Sequence, residues 1–158
     1  MRTSYKIGFS FGLTSGIITT LGLMVGLNSS TQSKLVVIGG ILTIAIADSF
    51  SDATGVHMAQ EAQNHIPKKD VWEATIFTLL NKFIFSSIFI VPVLIFELNY
   101  AIILSVLIGF YLIFLISLII ARERNEKPTL VIVEHLIITG IVIILSHLAG
   151  TLIHSTCG

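Results

Sequence analysis

Residues 35–58 read LVVIGGILTIAIADSFSDATGVHM, and this stretch decides the fold class. It is long and apolar enough for one crossing of a bilayer, which takes about 20 residues. It nevertheless contains two acidic residues, Asp48 and Asp52, one helical turn apart. Because a carboxylate near the centre of a bilayer costs roughly 2.5 to 3.5 kcal/mol, we expect this pair to have a use.

The composition of the whole chain fits a membrane setting. Of its 158 residues, 54% are hydrophobic and 11% are charged, whereas about 25% are charged in a typical soluble domain. The 9 basic and 9 acidic residues balance, so nothing favours nucleic acid as a partner. The single cysteine, Cys157, has no second thiol for a disulfide or a metal cluster. We predict one all-α domain, residues 1–158, integral to a membrane.

Apolar segments predict five transmembrane helices. They run approximately over Ile7–Leu27, Leu35–Met58, Val71–Phe96, Leu98–Ala121 and Leu130–Ile153. Residues 97–100 predict a tight hairpin between the third and fourth segments. The first segment exceeds the 7–15 apolar residues of a signal-peptide core, so we predict that it is retained.

The basic residues predict the orientation in the membrane. For five spans, one side receives the amino terminus and the second and fourth loops, with Arg2, Lys6, Lys68, Lys69, Arg122, Arg124 and Lys127. The opposite side has Lys34. The positive-inside rule therefore places the amino terminus inside and the carboxyl terminus outside. With no further targeting signal, we expect the plasma membrane in a prokaryote and a vacuolar-type membrane otherwise.

Small residues form one stripe along the first segment. The stripe contains Gly8, Gly12, Ser15, Thr19, Gly22 and Gly26. Glycines four residues apart let two helices approach closely in lipid. Two interpretations stay open, namely packing against another helix of the same chain and a symmetric contact between two copies.

Two motifs resemble those of the vacuolar iron transporter family. Residues 11–26, FGLTSGIITTLGLMVG, are similar to its first-helix signature, Asp-Gly-Ile-Val-Ser-Thr followed by an apolar run ending in Gly. Residues 47–55, ADSFSDATG, are similar to its second-helix signature, Ala-Asp-Gly-x-Ser-Met-Ala-x-Gly-Glu-Tyr. Pro92 and residues 146–150, SHLAG, match weaker features of the third and fifth helices.

The resemblance implies a five-helix homodimer that exports Fe²⁺ and related divalent metals from the cytosol in exchange for protons. Its pathway would follow the first and second helices of both subunits. The chain departs from the family at Ser15, where the family has Asp, at Asp52, where it has Met, and at Val56, where it has Glu. A carboxylate in place of a thioether favours Mn²⁺, Fe²⁺ or Mg²⁺ over soft ions. The family's long acidic segment after the second helix is replaced by a short connection with Glu61, His65, Asp70 and Glu73.

The two aspartates invite a division of roles. On an α-helix they lie about 40° apart around the axis and about 6 Å apart along it. Their repulsion favours one of them holding a proton until a divalent cation displaces it. Lys82 offers a structural alternative for Asp48, because both lie about 15–16 Å from the cytoplasmic edge. Asp52 has no evident cation at its level, and Lys82 itself argues against a cation path and for an anionic solute.

The histidines near the helix ends are weaker candidates. His57 lies on the far side of its helix from both aspartates, and with Glu61 it forms either a cytoplasmic entry or an interfacial polar cap. His147 and His154 share one face near the outer end. We predict a polar interface there, with a metal-release site as the alternative.

The sequence thus predicts a carrier of divalent metal, Fe²⁺ or Mn²⁺, coupled to protons and without a cofactor. The predicted metal-site residues are Asp52, Asp48, Ser15, Thr19 and Glu61. The alternatives are a relative that carries another solute and a membrane partner protein without transport activity. No Ser/His/Asp order or phosphate-binding glycine loop supports an enzyme. The expected partners are the metal ion, the lipid bilayer and a second copy of the chain.

Overall fold

The computed structural model describes residues 3–157, which form helices joined by short connections and contain no strand. Within this range five helices are long and apolar enough to cross a membrane. They are α1 (Thr3–Thr31), α2 (Lys34–Glu61), α3 (Lys68–Ile95), α4 (Leu98–Arg124) and α5 (Pro128–Cys157). The predicted all-helical fold is confirmed, and the observed helices extend up to four residues beyond the predicted segments. Arg2, which entered the orientation argument, lies outside the described residues.

Helix α2 changes its winding just before the acidic pair. It is α-helical over Lys34–Thr43, π-helical over Ile44–Asp48 and α-helical again over Ser49–Glu61. A π turn holds more residues than an α turn, so it rotates the faces on either side of it relative to one another. Asp48 closes the π segment and Asp52 lies in the first turn of the α-helix that follows.

Helix α3 is continuous where it carries Lys82 and breaks further on. The first α-helix spans Lys68–Ser87 and is capped by Ile88, and a short helix Ile90–Ile95 follows. Pro92 explains the break, because its ring has no N–H and would clash with the carbonyl of Ile88 four residues earlier. Helix α4 then begins at Leu98, so the connection is shorter than the predicted hairpin of residues 97–100.

Helix α1 packs against α3 through the first half of its small-residue stripe. A Cβ atom added at Gly12 would lie 2.7 Å from the backbone oxygen of Thr78, and one at Gly16 would lie 3.0 Å from that of Lys82. At Gly8 it would lie 2.6 Å from the Cβ atom of Phe77. These glycines therefore let the α3 backbone come close to α1 at the level of Lys82.

The second half of the stripe packs against α5. An added Cβ atom would lie 2.9 Å from Val142 Cγ1 at Gly22, and 3.3 Å from the Ser146 carbonyl oxygen at Gly26. At Gly150 it would collide with the carbonyl oxygen of Gly26. Of the two interpretations of the stripe, the structure shows the first, in which the stripe packs against other helices of the same chain.

Contacts between helix ends define two ends of the bundle. At one end, which we call the basic end, Lys6 lies 3.0 Å from Glu123, and Ser4 donates a hydrogen bond to Glu73. At the other, which we call the opposite end, Lys34 donates to the carbonyl oxygen of Phe96 over 3.0 Å. The α2–α3 and α4–α5 connections lie at the basic end, together with the start of α1.

Candidate functional site

Among the described residues, four polar side chains from three helices meet between the two ends of the bundle. They are Ser15 of α1, Asp48 and Asp52 of α2, and Lys82 of α3, and we call them the lysine cluster. The Lys82 Nζ atom lies 2.5 Å from Asp48 Oδ2, and it also contacts Asp52 Oδ2. It donates to Ser15 Oγ over 2.9 Å, and Ser15 in turn donates to Asp52 Oδ2 over 2.6 Å.

Lys82 is the most deeply buried member of the cluster. Its side chain has 0% exposure, against 31% for Asp48 and 22% for Asp52. Lysine is almost never fully buried unless it is paired, and here the two carboxylates and the hydroxyl compensate the loss of water. The close approach of α3 to Gly12 and Gly16 of α1 brings the lysine to this depth.

The structure pairs Lys82 with both aspartates. The similar depths of Lys82 and Asp48 below the cytoplasmic edge predict an ion pair between them, and the structure contains this pair. The expectation that Asp52 lacks a cationic partner is wrong, because Asp52 contacts the same Nζ atom. A comparison of Cα depths misses this contact, since the long lysine stem places its nitrogen between successive turns of α2.

Ser15 has a larger role in the structure than the sequence gives it. We expect it only to line a path, but its hydroxyl accepts from Lys82 and donates to Asp52, so it links the cation to one carboxylate. Thr19, one turn further along α1, donates to the Ser15 carbonyl oxygen over 2.7 Å. The shared stripe position of Ser15 and the packing glycines is the signal that could have placed it facing α3.

An open groove of about 720 Å³ separates α1 from α2 beside the cluster. Its polar lining is Thr19, Thr43, Asp48 and Ser51, and the rest of its wall is mainly apolar. Asp48 Oδ2 is buried, and although it pairs electrostatically with Lys82, it accepts no hydrogen bond of normal geometry within residues 3–157. Of the four cluster residues, Asp48 lines the groove, while its buried Oδ2 atom lies against Lys82.

Glu61 lies apart from the aspartates. Its side chain is 64% exposed at the end of α2, and its Oε2 atom is 3.8 Å from His57 Nε2. His57 also shares a hydrogen bond with the Thr75 hydroxyl over 2.9 Å, and its ring lies 4.6 Å from that of Trp72. His57, Glu61 and Trp72 line a separate pocket of about 440 Å³ at the basic end. Nothing in the sequence points to Thr75 and Trp72.

The remaining histidines make polar contacts between helices. Ser29 Oγ and His147 Nδ1 are 2.6 Å apart, and His154 Nδ1 is 3.1 Å from the Ser30 carbonyl oxygen. His135 bonds to the hydroxyl of Ser117 over 2.8 Å, a contact that the sequence does not predict. In the part of the chain that the structure describes, no three His, Cys, Asp or Glu side chains come together as a metal site.

The lysine cluster can hold a cation or a proton on oxygen atoms inside the bundle. Its oxygen ligands are two carboxylates and one hydroxyl, which suit hard cations, and the Lys82 ammonium lies between the two carboxylates. Comparisons of the chain with protein-family models, curated proteins and solved structures find no match.

Proposed function

We propose that this protein is a membrane carrier that exchanges a cation for protons, and that the lysine cluster is its exchange site. The observation that carries the proposal is the pair of carboxylates held side by side on an apolar, membrane-length helix by one buried lysine. Ionisable groups at such a depth are costly, and they usually mark a substrate or ion pathway.

The cluster gives a physical basis for exchange. A carboxylate binds a proton or a cation through the same oxygen atoms, so the two compete for one place. The groove beside Asp48 offers a route to that place, and the hydroxyls of Thr19, Thr43 and Ser51 add oxygen ligands along it. Lys82 faces carboxylates and a hydroxyl, which argues against the anionic solute considered from the sequence.

The resemblance to vacuolar iron transporters supports export from the cytosol, and it makes Fe²⁺ and Mn²⁺ cargoes to be tested beside monovalent cations. The oxygen donors of the cluster are compatible with these ions. In this proposal the basic end is cytoplasmic, as the positive-inside rule requires, and the protein lies in a plasma or vacuolar-type membrane.

The proposal includes a homodimer. The α1–α2 groove leaves Asp48 and three hydroxyl residues beside a space that no other helix of residues 3–157 fills. A second copy placed on this groove would remove these polar groups from lipid, where unsatisfied polar groups are costly. Native mass spectrometry in detergent would report the number of copies directly.

Flux measurements in liposomes test the exchange. Purified protein is reconstituted, and uptake of Mn²⁺, Fe²⁺, Na⁺ and K⁺ is followed with and without a pH gradient. We expect flux of at least one of these ions that depends on the gradient and falls at least tenfold in Asp52→Asn. Asp70→Asn makes the same chemical change outside the cluster and should leave flux unchanged. Absence of flux for all four ions would favour a membrane partner protein without transport activity. Equal flux in the wild type and in Asp52→Asn would mean that the lysine cluster is not the exchange site.

A further inference from the structure

The lysine cluster has an internal charge that its ligand must match. The Lys82 ammonium has three N–H groups, and three oxygen atoms surround it, from Ser15, Asp48 and Asp52. The number of neighbouring oxygen atoms thus equals the number of N–H groups. Counted as two carboxylates and one ammonium, the cluster has a formal net charge of −1.

Other charges lie too far along the helices to change this sum. The remaining ion pairs of residues 3–157 are near helix ends, and they are Lys6–Glu123, His57–Glu61, Lys69–Glu73 and Arg124–Glu126. Within the described chain, both Asp48 and Asp52 form their ion pairs with Lys82. The middle of the bundle therefore keeps one uncompensated negative charge.

We infer that Lys82 makes the exchange site selective for monovalent cations, such as Na⁺, K⁺ or Li⁺, over divalent ones. This inference rests on the proposed function and specifies its substrate class. One monovalent cation brings the cluster to zero net charge, whereas a divalent cation brings it to +1, which a medium of low dielectric constant disfavours. For a divalent ion the repulsion by the ammonium doubles together with the attraction by the carboxylates, whereas the cost of removing the ion from water rises with the square of its charge.

The groove side of Asp48 is where such a cation fits. Asp48 borders the groove together with Thr19 and Ser51. Its buried Oδ2 atom lies against Lys82, so the side facing the groove is the other side of a carboxylate whose side chain is 31% exposed. The Thr19 hydroxyl donates a hydrogen bond to the Ser15 carbonyl oxygen, so the lone pairs of the hydroxyl oxygen can bind a cation. A cation here contacts the carboxylate opposite the lysine and does not displace it.

Ion-dependent stability of the full chain in detergent tests the inference. The unfolding temperature is measured against the concentration of Na⁺, K⁺, Li⁺ and Mn²⁺, with ionic strength held constant by choline chloride. A bound ion raises this temperature, and a tighter ion does so at a lower concentration. We expect the wild type to respond to a monovalent ion at least tenfold more tightly than to Mn²⁺. Lys82→Gln leaves a charge of −2, so its preference should shift at least tenfold toward Mn²⁺. Lys34→Gln, at the opposite end, should behave as the wild type.

A double variant keeps the test decisive where Lys82→Gln alone fails to fold. Lys82→Gln with Asp52→Asn removes one charge of each sign and restores −1, so it should regain the preference for a monovalent ion. If the wild type prefers Mn²⁺, or if neither variant changes preference as described, the inference about charge is overturned while cation binding stands. If no ion stabilises the wild type or any variant, both the inference about charge and the proposed function fail.

Discussion

Helix α2 carries two pairs of polar residues at the same spacing with opposite surroundings. Asp48 and Asp52 converge on a lysine with 0% exposure, whereas His57 and Glu61, one turn further along, lie beside a pocket at the basic end with Glu61 64% exposed. Both pairs are four residues apart. The spacing alone therefore says little about the energy of a pair.

Burial decides that energy. A buried charge without its partner is penalised by several kcal/mol, because nothing replaces the lost water. An exposed pair contributes about 0–1 kcal/mol, because water solvates either member when the other is removed. The same change of one charge should therefore have very different results in the lysine cluster and at the basic end.

The largest effect is expected from Lys82→Met. Loss of the ammonium leaves two neighbouring carboxylates without a cation, which should lower the free energy of unfolding by about 3–5 kcal/mol. Unfolding by denaturant in detergent, followed by tryptophan fluorescence, measures the change. Lys127→Met removes an exposed lysine and is the matched control. Equal stability of both variants would mean that the buried lysine is not a structural cation.

A smaller effect is expected from Ser15→Ala. This change removes the hydroxyl that accepts from Lys82 and donates to Asp52, and hydrogen bonds to charged groups contribute about 1.5–3 kcal/mol each. The same denaturant assay applies, with Ser155→Ala as control because the Ser155 hydroxyl bonds only within its own exposed helix end. A loss no greater than that of the control would remove Ser15 from the cluster.

The smallest effect is expected from Glu61→Gln. Its partner is 3.8 Å away and its side chain is largely in solvent, so stability should change by less than about 1 kcal/mol. Salt screens such a pair, so the difference from the wild type should shrink further in 1 M NaCl, where the Debye length is about 3 Å. A loss as large as that of Lys82→Met would contradict the contrast between the two pairs.

Hydrophobic length and periodicity were sufficient to predict the helices. The apolar segments predict the observed helices of residues 3–157 to within a few residues, because each run meets the length that a bilayer requires. The break in α3 is explained by Pro92, but the π segment of α2 contains no proline or other residue that would predict it. Winding of this kind depends on tertiary contacts that a single sequence does not display.

The site was only partly predictable. Helical geometry places Asp48 beside Asp52 and depth places Lys82 beside Asp48, since both follow from a fixed rise per residue. The link through Ser15 requires the rotation of α1 about its axis, and the contact of Lys82 with Asp52 requires the reach of a flexible side chain. Neither quantity is fixed by spacing along the chain.

The chain is synthesised from its amino terminus, so residues that are far apart in the sequence leave the ribosome at different times. Asp52 precedes Lys82 by 30 residues, so at about 5–20 residues per second the acidic pair leaves the ribosome roughly 1.5–6 s before its counter-charge. Ser30 and His154, which join α1 to α5, are 124 residues apart, a delay of roughly 6–25 s. During synthesis, the nascent chain therefore passes through a state in which α1 lacks α5 and the two carboxylates lack Lys82. Quality-control proteases act on incompletely folded chains of this kind.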